Sequence, residues 1–232
     1  MIVCGGDEAG RGALVGPLVI ALVSIKKSSV HKLPEFGVRD SKLLSRKKRE
    51  LIYNKIIDIA EDVQINKITP TEINDAMKNN ISLNEVEAIH FAKLFDKFDT
   101  DISTLYLDSP DVIEERFGMR INVLSNKSTR VNGTAKKKDK NRRFTKIISE
   151  HKADSKYSVV SAASIIAKVE RDWEIDRISN SLKIDFGSGY PSDHKTIDAV
   201  RKNLKNPELN KHIRSYWKTI NNIKQKKLFG FD

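Results

Sequence analysis

Two adjacent carboxylates, Asp7 and Glu8, stand at the end of a short apolar run, and Gly10, Arg11 and Gly12 follow at once in DEAGRG (7–12). Two further acids occupy comparable places: Asp108 closes TLYLD (104–108), and Asp154 closes KIISEHKAD (146–154). The runs before all three aspartates carry strand-forming residues, so each acid is expected at the carboxyl end of a strand. Taken singly, each reads better as a helix cap or a surface charge, Asp154 most of all because a helix is expected just after it. Taken together, four converging carboxylates would repel one another and raise their pKa values unless a cation lay among them. Hard oxygen donors suit Mg²⁺ or Mn²⁺ better than zinc. Two such ions ~3.5–4 Å apart can activate a water and stabilise the leaving oxygen of a phosphodiester.

Other chemistries find less support. No Walker A loop is present, and the histidines show no HExxH spacing. Ser161 and Ser164 fall on an expected helix without a candidate base, which argues against a nucleophilic serine. The single cysteine, Cys4, excludes an intramolecular disulfide framework and a cysteine-based zinc site.

The elements that must position these acids alternate between strand and helix. Ile2 and Val3 lead into the first motif, and LVGPLVIALVSI (14–25) reads as a strand buried on both faces. A helix is expected over 45–62, capped by Ser45, with Leu51, Ile52, Ile56 and Ile59 on its inner face. TPTE (69–72) and SLNE (82–85) are helix starts, the second opening a helix that buries Val86, Ile89, Phe95 and Phe98. SPD (109–111) is expected to open another helix. A long helix over 158–178 carries an apolar stripe that includes Val159, Ala163, Ile166 and Trp173. The C-terminal quarter reads as basic and helical, with Trp217 as a buried anchor. This alternation argues for an α/β layer fold with a mixed sheet, in which sites gather at the carboxyl ends of strands.

The formal charge of +11 is concentrated in two places. Residues 126–147 carry nine Lys/Arg against one Asp, and residues 201–232 carry nine against Glu208 and Asp232, leaving a mildly acidic body. Clustered positive charge suits a polyanion, nucleic acid foremost, although a solvated lysine-rich surface has the same composition. The segment 126–143 lacks apolar periodicity and is expected to be a mobile excursion that adds affinity for duplex phosphates. No run approaches the ~18 apolar residues of a membrane span, and no export signal is read at the N-terminus. A cytoplasmic monomer is the expectation.

The motifs DEAGRG (7–12), GP (16–17), DSK (40–42), YLDS (106–109), HKADSKY (151–157), VVSAASIIAKVERD (159–172) and GSGYPSD (187–193) together resemble those of ribonuclease HII, the type 2 ribonuclease H, in that family's order and over nearly the whole chain. The resemblance implies an α/β ribonuclease H-like fold, a mixed central sheet flanked by helices, with a small helical C-terminal appendage. It divides the chain into a catalytic domain over 1–185 and a basic helical region over 186–232. It implies metal-dependent cleavage of the RNA strand of RNA/DNA hybrids. Incision 5′ of single ribonucleotides in duplex DNA is implied too, leaving 3′-hydroxyl and 5′-phosphate ends. Asp7, Glu8, Asp108 and Asp154 match the family's metal-binding carboxylates for two ions, Mg²⁺ or Mn²⁺. Gly10, Arg11 and Gly12 match its loop that reads the 2′-hydroxyl, Lys42 its phosphate-contacting lysine, and Tyr190 the tyrosine that packs on the sugar at the RNA–DNA junction.

Glycines flanking an arginine suit that role, because a residue without a Cβ lets backbone approach a sugar closely. The related type HIII carries lysine between the glycines, so Arg11 favours type HII. Ala13, Ser158 and His194 stand where proline is common in the family, which bears on loop stiffness rather than chemistry. The tail KKLFGFD (226–232) reads either as a frayed terminus or as a segment docking on a sliding clamp through Phe229 and Phe231. Two rival functions stay open: a non-catalytic nucleic-acid binder whose acids are structural caps, and another two-metal nuclease on the same fold, such as a Holliday-junction resolvase or integrase core.

Overall fold

The computed structural model describes residues 1–38, 44–131, 134–136 and 144–228. Strands β1 (Ile2–Ala9), β2 (Leu18–Lys26), β3 (Asp62–Ile68), β4 (Ile102–Asp108), β5 (Thr129–Val131), β6 (Thr134–Lys136) and β7 (Thr145–Glu150) form one sheet among the described residues. Their order is β3-β2-β1-β4-β7-β5-β6. The pairs β1–β4, β4–β7 and β5–β7 are parallel and β5–β6 is antiparallel, so the sheet is mixed. Helices flank it, and His194–Asn203, Pro207–Asn210 and Lys218–Leu228 are the last three among the described residues. No helix among the described residues is long and apolar enough to cross a membrane.

The chain forms two compact units, each assembled from three segments. The first holds Met1–Glu8, Ile20–Asn66 and Asn84–Val169, and the second holds Ala9–Val19, Lys67–Leu83 and Glu170–Asp232.

In the first unit the glycine before the acids has a packing purpose. A Cβ on Gly5 would lie 2.3 Å from the Val159 carbonyl carbon and 2.6 Å from the Val160 nitrogen. Strand β1 therefore runs directly against the backbone of the 25-residue helix Ser158–Leu182, closer than any side chain would allow. A Cβ on Gly6 would meet the side chains of Leu22, Leu107 and Phe91, all buried.

The second unit has a core of its own, built from Leu14, Val15, Ile178, Phe186, Val200 and Ile213 with their neighbours. Trp217 packs against this cluster partly buried, with the Arg214 guanidinium 5.2 Å from its ring centroid.

Several local expectations hold for identifiable reasons. Ser45 accepts a hydrogen bond from the Lys48 amide and caps the helix Arg46–Ile59, and Thr69 caps Pro70–Lys78 through the Glu72 amide. Others shift. The strand expected from residue 14 starts at Leu18, because Val15 instead bridges to Ile213 in the second unit. Leu51 is 66 % exposed and Trp173 40 % exposed, so the buried stripes are narrower than apolar spacing implied. The helix expected from SPD begins at Glu114, since Asp111 is held by Arg120 (3.3 Å) and Asn84 and anchors the preceding loop. Strand β7 ends at Glu150, Lys152 turns the chain with φ +55, and Asp154 stands on the helical turn Ala153–Lys156 instead of a strand end. The basic excursion is ordered at its start: the Asp96 carboxylate accepts from the Ser125 hydroxyl (2.6 Å) and the Asn126 amide (2.9 Å), and β5 and β6 follow.

Gly5→Ala forces a methyl into backbone with nowhere to move. It should destabilise the protein by about 1–3 kcal/mol or more, read as a lower urea midpoint at unchanged m-value.

Candidate active site

Asp7, Glu8, Asp108 and Asp154 belong to the first unit. Strands β1 and β4 are parallel neighbours whose pairing reaches Gly6↔Leu107, so Asp7 and Asp108 are the next residues along each strand. Both therefore lie at the carboxyl edge of the sheet. The Asp7 side chain is buried and accepts from the Glu8 amide at 2.8 Å. The Asp108 carboxylate accepts from the Ala153 amide at 2.7 Å, which ties the turn bearing Asp154 to the end of β4. Asp154 is buried, and its carbonyl accepts from the Ser161 hydroxyl at 2.7 Å.

The Asp7 carboxyl is pushed up from its ordinary 3.8 to about 6. Burial is the principal cause, and the negative charge of Asp108 adds to it. A hydrogen bond from Ser164 and the positive charge of Lys168 oppose the rise without cancelling it. Lys168 in turn hydrogen-bonds Ser164. Ser161, Ser164 and Lys168 sit at i, i+3 and i+7 on the helix Ser158–Leu182, so one polar stripe in the mainly apolar first half of that helix serves the acidic edge. Ser164 thus supports a carboxylate.

Asp7 and Asp108 interact directly, yet among the described residues no three His, Cys, Asp or Glu side chains are gathered closely enough to hold a metal ion. Glu8 follows Asp7 in sequence, and Asp154 stands on the turn tied to Asp108 through the Ala153 amide, without completing such a set. The donor chemistry nevertheless suits a hard divalent cation. Asp7 offers carboxylate oxygens whose charged form is disfavoured by burial and by a neighbouring acid, a deficit that a bound cation would offset.

The glycine-rich loop and Tyr190 belong to the second unit. Gly10 has φ +90, and a Cβ there would lie 2.7 Å from Arg171 Nε and 2.8 Å from the Pro17 carbonyl. Gly12 differs: nothing lies within 4 Å of where its Cβ would be, so no packing in the protein requires glycine at that position. Two buried guanidiniums hold the loop. Arg214, fully buried, donates to the Arg11 carbonyl (2.9 Å) and twice to the Gly16 carbonyl (3.1 and 3.3 Å). Arg171, 3 % exposed, donates to the Ser188 carbonyl (2.7 Å) and stacks 4.2 Å from the centroid of the Tyr190 ring. Gly189 completes the frame, its carbonyl accepting from Leu14 (2.8 Å) and Val15 (3.2 Å).

The loop and Tyr190 are thus brought together through Arg171, whereas Lys42 lies outside the described residues. Sequence reasoning assigned no role to Ser164, Lys168, Arg171 or Arg214. Arg171 had a legible signal, a lone arginine one turn from Ala167 and one turn from Ile175, both buried. Arg214 had none, because its partners lie some two hundred positions away.

A mixed sheet with a buried aspartate, Asp7, beside a half-buried one, Asp108, on the ends of two parallel strands defines a ribonuclease H-like protein. The family model for ribonuclease HII matches residues 4–220. Ribonuclease HII of Cenarchaeum symbiosum is 40 % identical over 219 residues, covering 94 % of this chain and 96 % of the relative. Among solved structures, ribonuclease H2 from Pyrococcus horikoshii superposes with a TM-score of 0.82 at 36 % identity, each chain fully covered. An Archaeoglobus fulgidus RNase HII, solved as a complex with PCNA, gives 0.78 at 35 % identity, covering 98 % of this chain and 99 % of that one. The chain belongs to the ribonuclease HII family, and it is a ribonuclease H, a hydrolase of the phosphodiester bond.

Raising the Asp7 pKa makes the ionised acid a burden on the fold. Its destabilising effect is absent below the ordinary 3.8, grows as pH rises, and is complete once pH passes about 6. In chelator, Asp7→Asn should therefore be more stable than the parent by on the order of 1–3 kcal/mol at pH 8. That gain should vanish near pH 4, and equal melting temperatures at both pH values would contradict it.

Proposed function

We propose that this ribonuclease H cleaves the RNA strand of RNA/DNA hybrids and incises duplex DNA on the 5′ side of a single embedded ribonucleotide. The P–O3′ bond breaks, a water oxygen joins the phosphorus, and the products are a 3′-hydroxyl and a 5′-phosphate. The observation that carries this reading is the buried Asp7 beside Asp108 at the ends of two paired parallel strands. Asp7, Glu8, Asp108 and Asp154 would hold two divalent ions, Mg²⁺ or Mn²⁺. When bound, such ions supply the charge that activates water and stabilises the leaving oxygen. Ser164 and Lys168 keep the Asp7 carboxylate oriented and partly neutralised.

Recognition falls to Gly10, Arg11 and Gly12, with Tyr190. The open space at Gly12 suits close approach of a sugar bearing a 2′-hydroxyl, the group that separates RNA from DNA at one position. Arg214 fixes the Arg11 backbone, leaving the loop little to reorganise on binding. Tyr190, backed by Arg171, offers a ring face for the adjacent deoxyribose, and Lys42 a phosphate contact. The stretch 126–143 within the catalytic domain 1–185, and the basic region 186–232 appended to it, add affinity for duplex phosphates. Such an activity serves replication and the repair of misplaced ribonucleotides, by a monomer in the cytoplasm. The relative solved with PCNA supports the clamp-docking reading of 226–232, whose Phe229 and Phe231 lie outside the described residues.

The test uses an end-labelled DNA duplex with one ribonucleotide, in Mg²⁺, Mn²⁺ or chelator. Incision 5′ of the ribonucleotide only with metal, and none of all-DNA duplex, is expected; binding without incision would favour a non-catalytic protein. Asp7→Asn should abolish cleavage with duplex affinity retained, and metal should raise the melting temperature of the parent but not of this variant. Gly12→Ala should fold with parental stability and lose about tenfold or more in cleavage, in the range of one misplaced contact.

A further inference from the structure

The first unit contains a cavity of about 450 Å³ that the carboxylate chemistry does not use, a volume in the range of small-molecule sites. Tyr106 and Tyr157 line it, with ring centroids 4.4 Å apart and planes inclined by 34°. Lys27, His31 and Lys156 are its ionisable neighbours, and no acid lines it. Lys156 is engaged with Glu150 at 2.6 Å, and the Tyr157 hydroxyl donates to the same carboxylate at 3.2 Å. Lys27 and His31 are exposed and have no acidic partner among the described residues.

The surrounding sequence explains this. KKSSVHK (26–32) carries four basic side chains, and no Asp or Glu occurs between Glu8 and Glu35. Ser158 and Val159, also in the lining, open the 25-residue helix, where first-turn amides present positive potential.

An aromatic pair beside two cations unpaired among the described residues, Lys27 and His31, and a lysine shared with Glu150 matches one ligand chemistry, a planar base joined to a phosphate. Stacking of bases on aromatic rings beside a positive groove is how proteins hold unpaired nucleotides. An apolar ligand would leave the cations without purpose, and an acidic peptide would leave the ring pair without one. We propose that this cavity is a second nucleotide site, taking a base against Tyr106 and Tyr157 and its phosphate against Lys27, His31 and Lys156. The nucleotide is either free or part of a single strand. The inference does not rest on the carboxylate chemistry.

The test is a titration of the full chain in chelator, following amide ¹H–¹⁵N shifts, with dAMP, with deoxyadenosine and with a short single-stranded DNA. Shifts confined to residues 27–34 and 156–159 with dAMP, weaker with deoxyadenosine, are expected. Shifts with the oligonucleotide but not dAMP would assign the site to a strand. The double variant Lys27→Ala/His31→Ala, altered only at exposed positions, should lose these shifts and keep the rest of its spectrum. Asp7→Asn should retain them, which separates this site from the cleavage reading. No response to either nucleotide ligand would overturn the proposal, as would equal shifts with a poly-glutamate peptide.

Discussion

The close approach of a helix backbone to a strand at Gly5 is the constraint on which the acidic edge depends. Because no side chain intervenes between β1 and the start of Ser158–Leu182, the helix lies near enough for Ser164 to reach Asp7 two residues farther along the strand. A methyl at Gly5 would separate the two elements, and the hydrogen bond that moderates a buried carboxylate would lengthen with them. The apolar helix residues supply the packing, while Ser161, Ser164 and Lys168 answer the polar groups that packing buries.

The same economy of burial governs the second unit in a different form. Its loop carbonyls at Arg11, Gly16 and Ser188 would be costly if left without donors, and two arginines from distant sequence satisfy them. A guanidinium is suited to this because its planar fork can serve several carbonyls at once. Burial holds the Arg171 pKa below its ordinary value, while Tyr190 and Asp172 oppose that shift. The result is a loop whose backbone is fixed by charged struts and whose Gly12 surface stays open.

Much of this was legible from one dimension. Helix starts at Ser45 and Thr69 were readable because a cap and the amide that donates to it are neighbours in sequence. Strands β1 and β4 were readable from apolar runs that stop at acids. Strand β3 was not, since it lies at the sheet edge and its residues Gln64, Asn66 and Lys67 show no buried alternation. Asp154 was placed on a strand because the run before it is strand-like, whereas the left-handed turn at Lys152 intervenes.

The sequence by itself determined the chemistry available: which acids, which glycines around Arg11, which basic stretches, and through seven ordered motifs the family they belong to. Those are properties of residue type and spacing, and spacing survives unfolding. Only the tertiary structure decided that Asp7 is protonated more readily than an ordinary aspartate and that Ser164 serves it. Only the fold, likewise, could show Gly12 facing open space while Gly10 faces Arg171. Burial, and the meeting of groups remote in the chain, arise when water is excluded between elements, and no pattern along the chain encodes which atoms then become neighbours.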